Sequence, residues 1–125
     1  MNFLDALNAH VMWKQRLKSY VAGTSEEELD PEHICLDNQC VLGKWLYGHR
    51  DALERSELFE KVRSMHATFH ESAADIVRLT QKGKAREAER LLNGGYADIS
   101  HQLQGLIRKL AREHQYEAPA AESGT

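Results

Sequence analysis

The sequence predicts an all-α protein, an antiparallel four-helix bundle with a short extra helix carrying a cysteine motif. Three observations predict it. Apolar residues recur at steps of three and four over most of the chain, which is helical periodicity. No stretch alternates with period two for long enough to make a sheet. The two prolines, Pro31 and Pro119, fall in a loop and near the chain end, which leaves long stretches free to be helical. Amphipathic helices joined by short loops bury their apolar stripes against one another. The 125 residues fit one domain, expected over 1–116, large enough to bury a core without staples. The small, polar tail 117–125 is expected to be disordered.

Each element has its own signal. From about Asn2 to Ala22 the apolar positions Phe3, Leu7, Val11, Leu17 and Val21 keep helical spacing, and Gly23 is a stop. Thr24 to Pro31 is an acidic run with Glu26, Glu27, Glu28 and Asp30, expected to be a solvated connection. Asp37 or Asn38 can cap a short helix from about Gln39 to Tyr47, ended by Gly48. Ser56 can cap a long helix to about Gln81 that turns Leu58, Phe59, Val62, His66, Phe69, Ala73, Ile76 and Leu79 inward, with Gly83 as its end. The last helical stretch carries Ala88, Leu91 and Leu92, then Ile99, Leu103, Leu106, Ile107 and Leu110, interrupted by a kink or break at Gly94-Gly95. No internal repeat is visible.

Composition removes several function classes. The formal net charge is −3, without the basic footprint of a nucleic-acid binder. No segment approaches the ~18 consecutive apolar residues of a membrane span. Asp5, Asn8 and His10 interrupt the N-terminal segment too early for a signal peptide. The two cysteines, Cys35 and Cys40, are too close for a useful bridge, which favours a reducing compartment. A cytoplasmic protein is expected.

The chemistry concentrates in four residues. His66 and His70 stand at i and i+4, so both rings leave one face of the long helix, the face shared with Val62, Phe69 and Ala73. His10 lies on the inner stripe of the first helix. Three imidazoles facing one core are costly unless satisfied together, because each unsatisfied buried polar group costs on the order of 1–3 kcal/mol. A zinc ion satisfies them, and Cys40 supplies a soft fourth donor whose thiol the metal would deprotonate. Four protein donors leave no open position, which favours a structural or sensory site over a hydrolytic one. The bland alternatives are a core histidine at His10 and a small buried hydrophobe at Cys40. His33, His49, His101 and His114 fall off the inner stripes and are expected to be exposed.

The segments His10-Val-Met-Trp13, Cys40-Val-Leu-Gly-Lys-Trp-Leu-Tyr-Gly48 and His66-Ala-Thr-Phe-His70 resemble the chemoreceptor zinc-binding (CZB) domain family in order and distance. The resemblance runs from about Ala9 to about Leu110. It implies a four-helix bundle holding one Zn2+ through His10, Cys40, His66 and His70. It also implies cytoplasmic bacterial signalling in chemoreceptors or diguanylate cyclases, as a homodimer, with hypochlorous acid sensed through the zinc-bound Cys40. Asp37, three residues before Cys40, matches a family position and would compete for or support the metal when the thiol leaves. Cys35 is outside the pattern. No methyl-accepting hairpin or cyclase domain is present in the chain, so a signalling partner in trans is expected if the chain is complete, and an output carried elsewhere on the longer protein if it is an excised domain. Trp45 is expected to pack the short helix onto the bundle, Gly43 to allow close backbone approach, and Trp13 to be core or interface.

The leading reading is therefore a zinc-dependent redox sensor. The alternative is a zinc-level sensor or buffer in which redox chemistry is incidental. An enzyme is not expected. Glu71, next to His70, would point about 100° off the site face. A di-iron centre would favour bridging carboxylates over a thiol.

Overall fold

A computed structural model describes residues 1–50 and 56–114 of the chain. The helices are α1 (Phe3–Ala22), α2 (Pro31–Ile34), α3 (Val41–Gly48), α4 (Glu57–Gln81), α5 (Ala85–Asn93) and α6 (Gly95–Glu113). No strand occurs among the described residues. The expected tail, 117–125, lies outside them.

Local chemistry sets the boundaries. The Asn2 side chain accepts from the Leu4 and Asp5 amides and starts α1, and Gly23 ends it at φ 78°, where glycine avoids the Cβ clash. The Ser56 hydroxyl accepts from the Phe59 amide and starts α4, and Gly83, also at φ 78°, turns the chain after it. The Gly94-Gly95 pair makes a true break: α5 ends at Asn93 and α6 begins at Gly95.

The all-α bundle is built from α1, α4, α5 and α6, each packed on the others. Three sets of contacts fix the directions. Gln81 Nε2 donates to the Tyr20 hydroxyl, joining the C-terminal ends of α1 and α4. His10 meets His66 and Phe69 midway along the same two helices. Phe3 stacks near His114 at the far end of α6. Helices α1 and α4 therefore run the same way, and α6 runs against both. The long connection between α1 and α4 makes this possible, as crossovers do in other bundles. It carries α2, packed on α4, and α3, packed on α1 and α4.

The core is continuous through Leu17, Phe59, Val62, Phe69, Ile76, Leu103, Ile107 and Leu110, all at most 1% exposed. The α1 stripe differs from its sequence reading at one position. Val11 is exposed, while Ala6 and His10 are buried with Phe3 and Leu17. The long helix turns its expected residues inward, with Leu58 and Leu79 at the margins. Tyr96, at the start of α6, is fully buried against Phe69 and was not among the expected core residues. No described helix is long and apolar enough to cross a membrane.

Candidate metal centre

The segment before α4 differs most from the sequence reading. Asp30 caps a four-residue helix, its carboxylate accepting from the Glu32 amide, with Pro31 at the first helical position. The Asp30-Pro31 pair thus starts a helix directly after the acidic connection. Helix α3 begins at Val41, and neither Asp37 nor Asn38 caps it. The cap is Cys40, whose Sγ accepts from the Gly43 amide at 3.3 Å. The Asp37 carboxylate instead accepts from the Tyr47 hydroxyl at 2.9 Å.

Gly43 and Trp45 seat this short helix. A Cβ on Gly43 would collide with the Asp37 carbonyl, so only glycine lets the turn and α3 approach this closely. Trp45 meets Phe3 of α1 edge-on at 5.1 Å and stacks with His49 at 4.3 Å. His49 and His114 are half-buried around that indole, contrary to their expected exposure, whereas His33 and His101 are exposed. Trp13 is half-buried beneath the Arg16 guanidinium, 3.9 Å from its ring.

Seated in this way, Cys40 faces α4. Its Sγ lies 3.2 Å from His66 Nε2 and 3.6 Å from His70 Nε2, and those two nitrogens are 3.0 Å apart. With His10 the four donor atoms all fall within 4.8 Å of one another. The three histidines are buried and Cys40 is half-buried. The carboxylate of Asp37 and the thiol of Cys35 are not part of this group. The Cys35 thiol donates to the Glu32 carbonyl at 3.4 Å.

The donor set fits zinc by distance and by protonation. Tetrahedral bonds of ~2.0–2.1 Å to nitrogen and ~2.3 Å to sulfur imply edges of about 3.3–3.6 Å. The three edges among Cys40, His66 and His70 fall within a few tenths of that range. Two rings have their tautomer fixed by a carbonyl. His10 Nδ1 donates to the Ala6 carbonyl at 2.7 Å, and His70 Nδ1 to the Ile34 carbonyl at 3.0 Å. Each therefore turns a bare Nε2 lone pair toward the centre. His10 Nε2 is buried there without a hydrogen-bond partner among the described residues, as expected of a nitrogen whose lone pair a cation takes.

Electrostatics keep the rings in the ligating form. Burial lowers His10 to about 4, against the opposing pull of the Ala6 carbonyl. Burial, with repulsion from His70 and His10, lowers His66 to about 2. Burial also lowers His70, opposed by the Ile34 carbonyl. All three are neutral at pH 7. Burial raises the Cys40 thiol, partly offset by the Gly43 amide and reinforced by the Asp37 carboxylate. Without a metal, that sulfur stays protonated at neutral pH.

The two carbonyls that orient the rings, from Ala6 and Ile34, were not anticipated. The Ala6 contact follows the i−4 spacing of a helix and was open to inference. The Ile34 contact depends on how α2 docks and left no signal in the sequence.

The family model for the chemoreceptor zinc-binding domain matches residues 10–77, from His10 to beyond His70. No curated protein and no solved structure matches the chain. The matched region covers more than half of the sequence and includes every donor of the cluster, so the chain belongs to the chemoreceptor zinc-binding domain family, with zinc as the metal its donor set is positioned to hold.

Proposed function

We propose that this chain is a cytoplasmic, non-catalytic sensory domain in which His10, Cys40, His66 and His70 hold one zinc ion and Cys40 is the oxidant-reactive group. The observation that carries the reading is the double duty of one sulfur. Cys40 Sγ faces the His66 and His70 nitrogens and also caps α3 through the Gly43 amide. Zinc, when bound, keeps that sulfur as a thiolate at a site where burial alone would keep it protonated.

The Cys40 thiolate attacks the chlorine of hypochlorous acid. An S–Cl bond forms as the Cl–O bond breaks, and hydroxide leaves. Water then displaces chloride, giving a sulfenic acid, chloride and a proton. The oxidised sulfur is a weaker donor toward a metal and a weaker acceptor for the Gly43 amide. Helix α3 thereby loses its start and its tie to α4 together. Asp37, three residues before Cys40 and accepting from the Tyr47 hydroxyl of α3, is the residue we infer supports the metal once the thiolate is gone. The shift of α3 changes the surface offered to a second copy of the chain or to a receptor or cyclase partner, in chemotaxis or cyclic-di-GMP signalling.

Elemental analysis before and after one equivalent of hypochlorous acid tests this, with far-UV circular dichroism in parallel. The expected result is one zinc per chain, released or loosened on treatment with loss of some helix, and no oxidant-driven change in Cys40→Ala. Zinc that stays in place with no structural change would refute the redox role and favour a zinc-level sensor or buffer. Iron, or no metal, would refute the site.

A further inference from the structure

The three histidines are 1–4% exposed, whereas Cys40 is half-buried. A cleft of about 530 Å³ opens between α1, the acidic connection, α2 and the turn before α3, and Cys40 and His70 lie in its wall. Leu36 and Gln39, both exposed, line it, as do the acidic residues Glu28 and Asp30, the latter with one carboxylate oxygen capping α2. The cleft also holds Arg16, but that cation is committed. Its guanidinium makes a two-pronged pair with Glu27, at 2.7 Å for the shortest contact, and lies over Trp13. With Arg16 offset by Glu27, the approach to the sulfur keeps a net negative charge.

We propose that this cleft is the route by which small solutes reach Cys40, and that Glu28 and Asp30 make it selective for uncharged over anionic electrophiles. The carboxylates repel an anion in the cleft, against the net +1 of a zinc ion held by three neutral imidazoles and one thiolate, and leave a neutral molecule unaffected. The route does not depend on the redox reading. Where that reading holds, the filter favours hypochlorous acid over hypochlorite and admits small neutral oxidants of the same class.

Alkylation tests the route directly. The Cys40 thiolate displaces iodide from carbon in both iodoacetamide, which is neutral, and iodoacetate, which is an anion. An S–C bond forms and iodide leaves with the C–I electron pair. Rates are measured on the zinc-loaded chain in a Cys35→Ser background, with the urea-unfolded chain as reference. The amide-to-acetate rate ratio at Cys40 is expected to exceed the unfolded reference by about threefold or more at low salt, and to shrink as salt screens the carboxylates. Glu28→Gln combined with Asp30→Asn should remove the excess, and asparagine still caps α2. Leu36→Trp should slow both reagents several-fold with zinc content unchanged. Gln39→Trp gives the same test if the first variant fails to fold. A folded-state ratio equal to the unfolded one overturns the filter, and unchanged rates in the tryptophan variants overturn the route. If alkylation follows the expected pattern but hypochlorous acid leaves zinc in place, the redox reading fails and the route stands.

Discussion

Replacing Cys40 by serine and by alanine separates the two jobs of its sulfur. In the metal-free chain the sulfur acts as an N-cap, accepting from the Gly43 amide at 3.3 Å, and its thiol can donate to the His66 or His70 Nε2, as a serine hydroxyl can. Serine is a strong N-cap, and alanine leaves the first-turn amides without that acceptor at a cost of about 1 kcal/mol. With chelator present, Cys40→Ser should be at least as stable as the parent chain. Cys40→Ala should be about 1 kcal/mol less stable, or about 4 °C in Tm for a domain of this size. With zinc the order changes. Metal at a hundred times its Kd stabilises the parent by about 2.7 kcal/mol, and a variant that loses a thiolate donor loses most of that. Both variants should therefore fall below the parent by 2 kcal/mol or more, an order-of-magnitude figure from the same relation. Urea unfolding with chelator and with excess zinc reads all six states. Equal stabilities for serine and alanine without metal would show that the sulfur is not a cap. A serine variant that gains as much from zinc as the parent would show that the thiolate is not a donor.

Further expectations follow from other parts of the site. Gly43→Ala drives a methyl group into the Asp37 carbonyl and should cost about 2 kcal/mol or more, with weaker zinc binding because the Cys40 turn is displaced; denaturant midpoints and a competitive zinc titration read both. The metal-free chain should lose stability on acidification. His10 titrates near 6.5 unfolded and about 4 folded, so its neutral form contributes fully above pH 6.5, and that contribution is lost as pH falls through 4, about 3 kcal/mol in all. His66 and His70 act in the same direction, and a urea midpoint that is flat or rises between pH 7 and 4.5 would contradict the buried-neutral assignment. Tyr96 buries its hydroxyl without a partner among the described residues, so Tyr96→Phe should be neutral or up to ~1 kcal/mol stabilising, and a clear loss of stability would reveal an unseen partner.

Helix-borne features were legible in the sequence, and features created by docking were not. The i, i+4 pair His66 and His70 on an apolar face, and Ser56 and Gly83 at the two ends of α4, follow from 3.6-residue periodicity and capping chemistry alone. The cost of buried imidazoles points His10 to that pair, and the need for a fourth, soft donor together with the family resemblance points Cys40 there; the geometry brings the four together. The cap of α3 was misassigned because Asp37 and Asn38 outrank cysteine as caps, whereas here the close approach at Gly43 turns the Cys40 sulfur onto the helix start. Val11 continues the spacing of Phe3 and Leu7, but Ala6 and His10 are the residues buried there, with His10 against His66 and Phe69 of α4. His49 and His114 were read as solvent-facing because nothing local shows that Trp45 offers them a ring to pack on.

The placement of the donors predicts a local response to metal loss, short of global unfolding. Helices α2 and α3 have four and eight residues, below the ~12–15 at which even a good isolated helix is marginal. Their order rests on tertiary ties, and two of those ties end at the metal site. The Ile34 carbonyl holds His70, and the Cys40 sulfur faces His66 and His70. Helices α1, α4 and α6 instead share Leu17, Phe59, Val62, Phe69, Leu103 and Ile107, none of which touches solvent by more than 1%. Removing zinc, or the sulfur that binds it, therefore takes support from a segment with little of its own and leaves the bundle interior packed. Amide hydrogen exchange should rise strongly over residues 31–48 when metal is chelated, with protection in the middle of α4 and in α6 largely kept. A uniform rise across α4 and α6 would mean that the site holds the whole bundle together. No change over 31–48 would mean that Trp45, Phe3 and Gly43 hold α3 without help from the metal, and a sulfur-triggered movement of that helix would then have no physical basis.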